Sequence, residues 1–379
     1  MDQIANFLTR AVANIIPGKA ELEKVLRTDK KLNVYLGIDP TATRIHLGHA
    51  VPLHKLQQLV DLGHHVTFLI GDYTALIGDT SDKDGERPVL TSEQIEANFI
   101  TYQTQASKIL DFSKVKVVHN SDWLKDFGYA EIIQIGRQFS LNDFISRELI
   151  KKRLDAGTSI SIPEVLYPIA QGYDSYYMDT DLQIGGTDQT FNMQAGRTLQ
   201  KRLRNKESFV LTTPFLTGTD GRKMSKSWGN AIWLDDSPND IYGKVMSIRD
   251  DLITEYFTLA TNITDIPTSD NPMQLKKQLA HTIVSELCGS AAAAAAQTHF
   301  ESTFQQGQAP TDIPTMAVTA TNIIDVLVET KLASSKSDAR RLIDQGGVKV
   351  NDKKISDLEF RVSSLDLIQV GPLRFLRIK

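Results

Sequence analysis

Apolar positions recur along the first 230 residues in two alternating rhythms. Residues 34–38, Val-Tyr-Leu-Gly-Ile, form a short apolar run that meets a turn at Asp39-Pro40, which predicts a buried strand. Leu53, Leu56, Leu59 and Val60 then fall at helical spacing, and Gly63 closes that helix. Residues 66–70 predict a second strand, ended by Gly71-Asp72. Thr91-Ser92-Glu93-Gln94 has the form of a capping box, with Ile95, Phe99, Tyr102, Ala106 and Ile109 behind it on one face. Residues 115–118 predict a third strand. Strand and helix in strict alternation imply parallel pairing in an open α/β sheet, where ligands bind beyond the carboxyl ends of the strands.

From residue 237 the strand signal fades, and helical patterning runs to 304 with an alanine stretch at 291–296. Residues 305–319 contain Gly307, Pro310 and Pro314 with few large apolar side chains, which reads as a linker. The stretch 321–379 is different again. It carries 11 Lys and Arg against 8 Asp and Glu, a net +3, whereas the whole chain has a net charge of −4. A basic tail on an acidic body points to a separate contact module.

Composition narrows the class. The 379 residues suit two to three domains, and 41% hydrophobic with 23% charged residues excludes collagen-like, coiled-coil and wholly disordered chains. No run approaches the ~18 apolar residues of a membrane helix. Asp2 and the missing basic cluster near it argue against a secretory signal. The single cysteine, Cys288, cannot form an internal disulfide, which suits a reducing compartment and a cytoplasmic location.

Two segments carry candidate chemistry. In His46-Leu47-Gly48-His49 two histidines start the helix that runs towards Leu62. A helix N-terminus offers free N–H groups and the positive end of the dipole, so it attracts phosphate. Gly48 lets a flat base or ribose approach the backbone, and both imidazoles can donate to phosphate oxygens. A metal pair or an ordinary polar surface has the same spelling. In Lys223-Met224-Ser225-Lys226-Ser227, two lysines on a glycine-flanked loop can fold over a triphosphate, although a solvated basic turn is the commoner fate of such loops.

Together, HLGH and KMSKS resemble the two signatures of the class I aminoacyl-tRNA synthetases, and the chain as a whole is similar to the bacterial tyrosyl-tRNA synthetase family. The likeness extends to Tyr35 with Asp39-Pro40-Thr41, the turns at 71–72 and 77–79, the segment 167–174 and Gln183-Ile184-Gly185-Gly186-Thr187-Asp188-Gln189. The KMSKS spelling departs from the KFGKT-like form of many bacterial relatives but retains both lysines. The resemblance implies a Rossmann-like parallel-sheet catalytic domain over 1–235 and an α-helical tRNA- or anticodon-binding domain over 236–305. A linker over 306–320 and a small α+β RNA-binding domain over 321–379 would follow.

The implied reaction has two steps. Tyrosine and ATP, accompanied by Mg²⁺ without a dedicated protein site, give tyrosyl-adenylate and pyrophosphate; the tyrosyl group then passes to the 3′ end of tRNA(Tyr). By the resemblance, Thr41 and His46 hold the outer phosphates, His49 lies near the nucleotide ribose, and Lys223 and Lys226 clamp the departing pyrophosphate. Asp39, Gly48, Gly186 and Asp188 join them around the nucleotide. Tyr35 and Asp174 meet the phenol, Asp79, Tyr167 and Gln171 surround the ammonium, and Gln183 and Gln189 complete the pocket. Tyr167, Gln171 and Asp174 fall at i, i+4 and i+7, one helical face lined with hydrogen-bonding groups. In the tail, residues 335–351 resemble a small RNA-binding domain known from a ribosomal small-subunit protein. Ser335 or Ser337 would cap a helix bearing Lys336, Arg340 and Arg341, ended by Gly346-Gly347. The family also implies a homodimer, with residues 127–150 as the candidate interface, and no membrane contact. A tryptophan–tRNA ligase and a tRNA-independent nucleotidyltransferase of the same superfamily are the competing readings; the pairing of Tyr35 with Asp174 favours tyrosine.

Overall fold

The first sheet comprises β1 (Asn14–Ile16), β2 (Asn33–Ile38), β3 (His65–Ile70), β4 (Lys116–His119), β5 (Leu182–Gly186) and β6 (Phe209–Thr213), in the order β1-β6-β5-β2-β3-β4. These belong to a computed structural model that describes residues 2–78, 91–305, 313–351, 353–371 and 374–379. All pairings are parallel except that of β1, which runs antiparallel to β6 at the edge. The three strands expected from the sequence are β2, β3 and β4. Strand β6 is buried at every position and β5 at all but its last, because helices cover both faces of the sheet. Chain order reverses direction between β2 and β5, the place where a doubly wound sheet opens a crevice.

Helix ends follow local chemistry. Thr91 caps Ser92–Ala106 as expected: its Oγ1 accepts from Gln94 N at 3.3 Å, and Gln94 Oε1 accepts from Thr91 N at 3.0 Å. Ile95, Phe99, Tyr102 and Ala106 are buried on one face, whereas Ile109 lies beyond the helix end.

The helices Pro238–Met246, Ile253–Ala260 and Pro272–Cys288 belong to the same compact unit as the sheet, which spans residues 1–290. Tyr242, Tyr256 and Phe257 are fully buried. Arg10 ties the amino-terminal region to the end of the middle helix, donating to Thr258 O at 3.1 Å and Thr261 O at 2.9 Å, carbonyls that the helix leaves over.

The second unit, residues 291–379, holds its own sheet of β7 (Thr315–Met316), β8 (Val348–Val350), β9 (Lys353–Lys354), β10 (Leu367–Val370) and β11 (Arg374–Ile378), in the order β7-β11-β10-β8-β9. Ile323, Leu327, Ala339, Ile343, Val348, Val350, Ile368 and Val370 form its core with the helices Ile323–Glu329 and Lys336–Asp344. Ser335 caps the latter, accepting from Asp338 N at 3.2 Å. Part of the stretch expected to be linker is structured: β7 pairs in parallel with the end of β11. Residues 306–312 lie outside the described ones.

Candidate active site

A cavity of about 690 Å³ opens at the carboxyl ends of β2 and β5. Tyr35, Asp39, Thr41, His46, Gly48, His49, Tyr167, Gln171, Asp174, Gly186, Asp188, Gln189, Lys223 and Lys226 all line it. Segments nearly two hundred residues apart thus converge on one crevice. Asp79 lies outside the described residues.

His46 is the N-cap of the helix Leu47–Asp61. Its Nδ1 accepts from Gly48 N at 3.2 Å, and its own N–H donates to His49 Nδ1 at 3.2 Å, so the two imidazoles close a reciprocal capping box. With both Nδ1 atoms accepting, each neutral ring carries its proton on Nε2, where it can be given to an anion. Burial, aided by His49 and by the charges of Lys223 and Lys226, holds His46 down at about 2, hence neutral at physiological pH. A Cβ at residue 48 would stand 2.9 Å from the His46 ring, so glycine makes room for the capping imidazole.

Beyond β2, Asp39 is pinned from two sides: Thr74 Oγ1 donates to Oδ1 at 2.8 Å and Tyr167 Oη donates to Oδ2 at 2.8 Å. Gly71 permits this, since a Cβ there would come within 2.0 Å of the carboxylate. Thr41 N donates to Asp39 O at 2.7 Å in a tight turn.

The Tyr35–Asp174 end is polar and buried. Asp174, 2% exposed, accepts from Trp123 Nε1 at 2.8 Å and Asn120 Nδ2 at 3.2 Å. Burial pushes its carboxyl up to about 8 against the pull of those two donors. Tyr35 is buried too, and desolvation with the neighbouring Asp174 raises its phenol well above the ordinary value. Its hydroxyl donates to Gln183 Oε1 at 3.1 Å, and Gln183 Nε2 donates to Met193 O at 2.9 Å. Gln183, expected on the pocket wall, stands one layer behind it and fixes the direction of the Tyr35 hydroxyl. Strand register dictates this, since Tyr35 and Gln183 are neighbours across β2 and β5.

At the mouth, the basic loop returns from a small hairpin in which Met224 N donates to Leu216 O at 2.9 Å. Lys223 Nζ rests 3.7 Å from the centroid of Phe215. After the loop, Leu47 N donates to Ile232 O at 2.9 Å and Leu234 N to Ile45 O at 3.0 Å. The two signature segments are therefore zipped together by backbone.

Comparisons with known proteins give the family of the chain. Residues 27–305 match the family of class I tRNA synthetases (W and Y), and residues 304–371 match the tyrosine–tRNA ligase SYY-like C-terminal domain. A tyrosine–tRNA ligase of Dehalococcoides mccartyi is 42% identical, covering 99% of this chain and 98% of the relative. One from Thermotoga maritima is 40% identical over 100% and 97%. The chain belongs to the tyrosine–tRNA ligase family. Solved structures agree on the fold. A C-terminally truncated mitochondrial tyrosyl-tRNA synthetase of Aspergillus nidulans has a TM-score of 0.67 at 23% identity, covering 80% of this chain and 95% of that one. The tyrosyl-tRNA synthetase of Archaeoglobus fulgidus, solved with L-tyrosine, scores 0.61 at 22% identity over 78% and 99%.

Within this tyrosine–tRNA ligase family member, sequence reading missed Trp123 and Asn120, which reach Asp174 from just after β4 with no periodic signal to mark them. It also missed Arg44, whose guanidinium lies 4.7 Å from the Trp233 ring centroid and pairs with Asp235 and Asp236, and Glu255, which accepts from Thr217 N at 2.7 Å below the loop. In the second unit, Lys336 pairs with Asp325 and Arg341 with Asp338, each at 2.7 Å, and Arg340 is exposed.

Proposed function

We propose that the cavity activates L-tyrosine with ATP and transfers it to tRNA(Tyr), with the residue roles that follow. The chain is an aminoacyl-tRNA ligase by family. The observation that carries the residue assignment is the convergence of HLGH, KMSKS and the 167–174 face on a single cavity. A tyrosine carboxylate oxygen attacks the α-phosphorus, the bond to the bridging oxygen breaks, and pyrophosphate leaves. A terminal ribose hydroxyl of the tRNA then attacks the tyrosyl carbonyl, and AMP leaves.

No protein nucleophile is required, so the residues position and stabilise charge. Thr41, the Nε2–H group of His46 and the ammoniums of Lys223 and Lys226 receive the phosphates, and the Nε2–H group of His49 faces the nucleotide ribose. Gly48, Gly186 and Asp188 flank the nucleoside. Asp39, held by Thr74 and Tyr167, and Gln189 line the rest of the adenylate site, while Tyr167 and Gln171 offer acceptors to the ammonium. Asp79 completes that set by resemblance alone. Mg²⁺ arrives as part of the nucleotide substrate; among the described residues no group of three or more His, Cys, Asp or Glu could hold a metal. Asp174 and Tyr35 read the phenol.

Lys336, Arg340 and Arg341 contact the RNA backbone; their two surface ion pairs are weak enough to exchange for phosphates. Residues 127–150 pair two copies of the chain, a reading supported by the exposure there of Tyr129, Ile133, Leu141 and Ile145. The activity fits a cytoplasmic enzyme, and among the described residues no helix is long and apolar enough to cross a membrane. The test is charging of tRNA(Tyr) with labelled amino acid: tyrosine is attached, and attachment of tryptophan instead would overturn the reading.

A further inference from the structure

Trp228 is 48% exposed, unusual for an indole, and it stands at the mouth of the cavity immediately after the lysine loop. One face is backed by the Arg222 guanidinium, 4.7 Å from the ring centroid. Arg222 is itself fixed, donating from Nε and Nη2 to Asp220 Oδ2 at 2.8 and 2.5 Å. Asp220 Oδ1 accepts from Asn230 Nδ2 at 2.7 Å, and Asn230, 2% exposed, accepts from Ser225 N at 2.9 Å. A chain of contacts rooted in a buried amide thus backs an exposed aromatic plane.

We propose that Trp228 is a stacking platform for the 3′-terminal nucleoside of the tRNA acceptor strand. This rests on the tRNA-charging reading above and adds a binding residue to it. Single-stranded RNA ends are held by stacking on aromatic side chains beside basic groups, and Trp228 has the Arg222 guanidinium against its ring for the adjoining phosphate. ATP is not the occupant. Its phosphates go to the His46 turn and the two lysines, whereas Trp228 keeps 48% of its surface open to solvent.

The experiment compares Trp228→Ala, Trp228→Phe and Trp228→Leu for tyrosine-dependent pyrophosphate exchange and for charging, with intact tRNA(Tyr) and with tRNA lacking its terminal nucleoside as competitor. The expected result is a KM for tRNA in charging raised by about 5- to 150-fold in Trp228→Ala and Trp228→Leu. Trp228→Phe recovers most of it, and exchange keeps its wild-type rate and ATP KM. The shortened tRNA competes equally with wild type and Trp228→Ala. Unchanged charging would overturn the proposal, and so would a raised ATP KM in exchange, which would assign the platform to ATP. Trp228→Leu keeps an apolar side chain of some bulk, so a folding defect in the alanine variant leaves the test intact. Absence of tyrosine-dependent exchange in the wild type would instead strike the parent reading.

Discussion

Trp123 holds Asp174 in place: the indole Nε1 donates to the carboxylate Oδ1 at 2.8 Å, and the indole is stacked on Tyr177 at 4.6 Å between ring centroids. Trp123→Phe keeps the stack and removes the donor. Above pH 8, where Asp174 is ionised, a hydrogen bond to a charged group contributes about 1.5–3 kcal/mol, and that loss is expected in kcat/KM for tyrosine while the ATP KM stays put. Tyr35→Phe removes a neutral hydroxyl and costs about 0.5–1.5 kcal/mol, part of it from leaving the Gln183 oxygen buried without its donor. Both variants narrow the preference for tyrosine over phenylalanine. Steady-state kinetics with the two amino acids that show the wild-type ratio in both variants would place phenol recognition elsewhere.

Asp174 also predicts a pH dependence. Burial raises its carboxyl from 3.8 to about 8 in the folded chain, so between those values the folded state binds more protons than the unfolded state. By linkage this group's contribution to stability falls as pH rises through that window and is level above it. Without substrate, Asp174→Asn is expected to flatten the stability-against-pH curve there, measured by urea unfolding at several pH values. Tyrosine affinity runs the other way. The ionised form is the better acceptor for the phenol, so affinity strengthens as pH approaches 8 in wild type and not in Asp174→Asn.

The phosphate clamp separates kcat from binding. Lys223→Ala and Lys226→Ala are each expected to slow adenylate formation on the order of 100-fold, as loss of one preorganised charge-stabilising group does, with little change in tyrosine affinity. Single-turnover measurements check this, and an unchanged activation rate in both variants would sink the assignment. His46, held neutral by burial and neighbouring charge, adds no titration to the rate across neutral pH.

Deleting residues 321–379 is expected to leave tyrosine activation nearly intact and to cripple charging, because the cavity is lined entirely by residues 35–228. Replacing Lys336, Arg340 or Arg341 by Ala should lower the slope of log affinity for tRNA against log salt by about one unit for each residue that contacts a phosphate. Filter binding at several salt concentrations gives that slope.

Local chemistry made much of this legible. The strand runs of β2 and β3, the Thr91–Gln94 cap, the histidine N-cap and the i, i+4, i+7 face from Tyr167 to Asp174 each announce themselves within a few residues. Strand β5 does not, because Gln183 and two glycines dilute its apolar run, and β1 is too short to show a period. Gln183 was expected on the pocket wall. Only the register of β2 against β5 reveals that it supports Tyr35 from behind. Trp123, Asn120 and Arg44 were silent for the same reason: their partners lie 46 or more residues away in sequence, where no local pattern reaches.

The central claim is that one cavity recognises tyrosine and joins it to AMP. Pyrophosphate exchange into ATP, measured with each of the twenty amino acids in turn, tests it most directly. Exchange should depend on tyrosine above all others, with phenylalanine far behind because it leaves Tyr35 and Asp174 buried without a hydroxyl to pair. Exchange driven by tryptophan, by phenylalanine as readily as tyrosine, or by none of the twenty would contradict it.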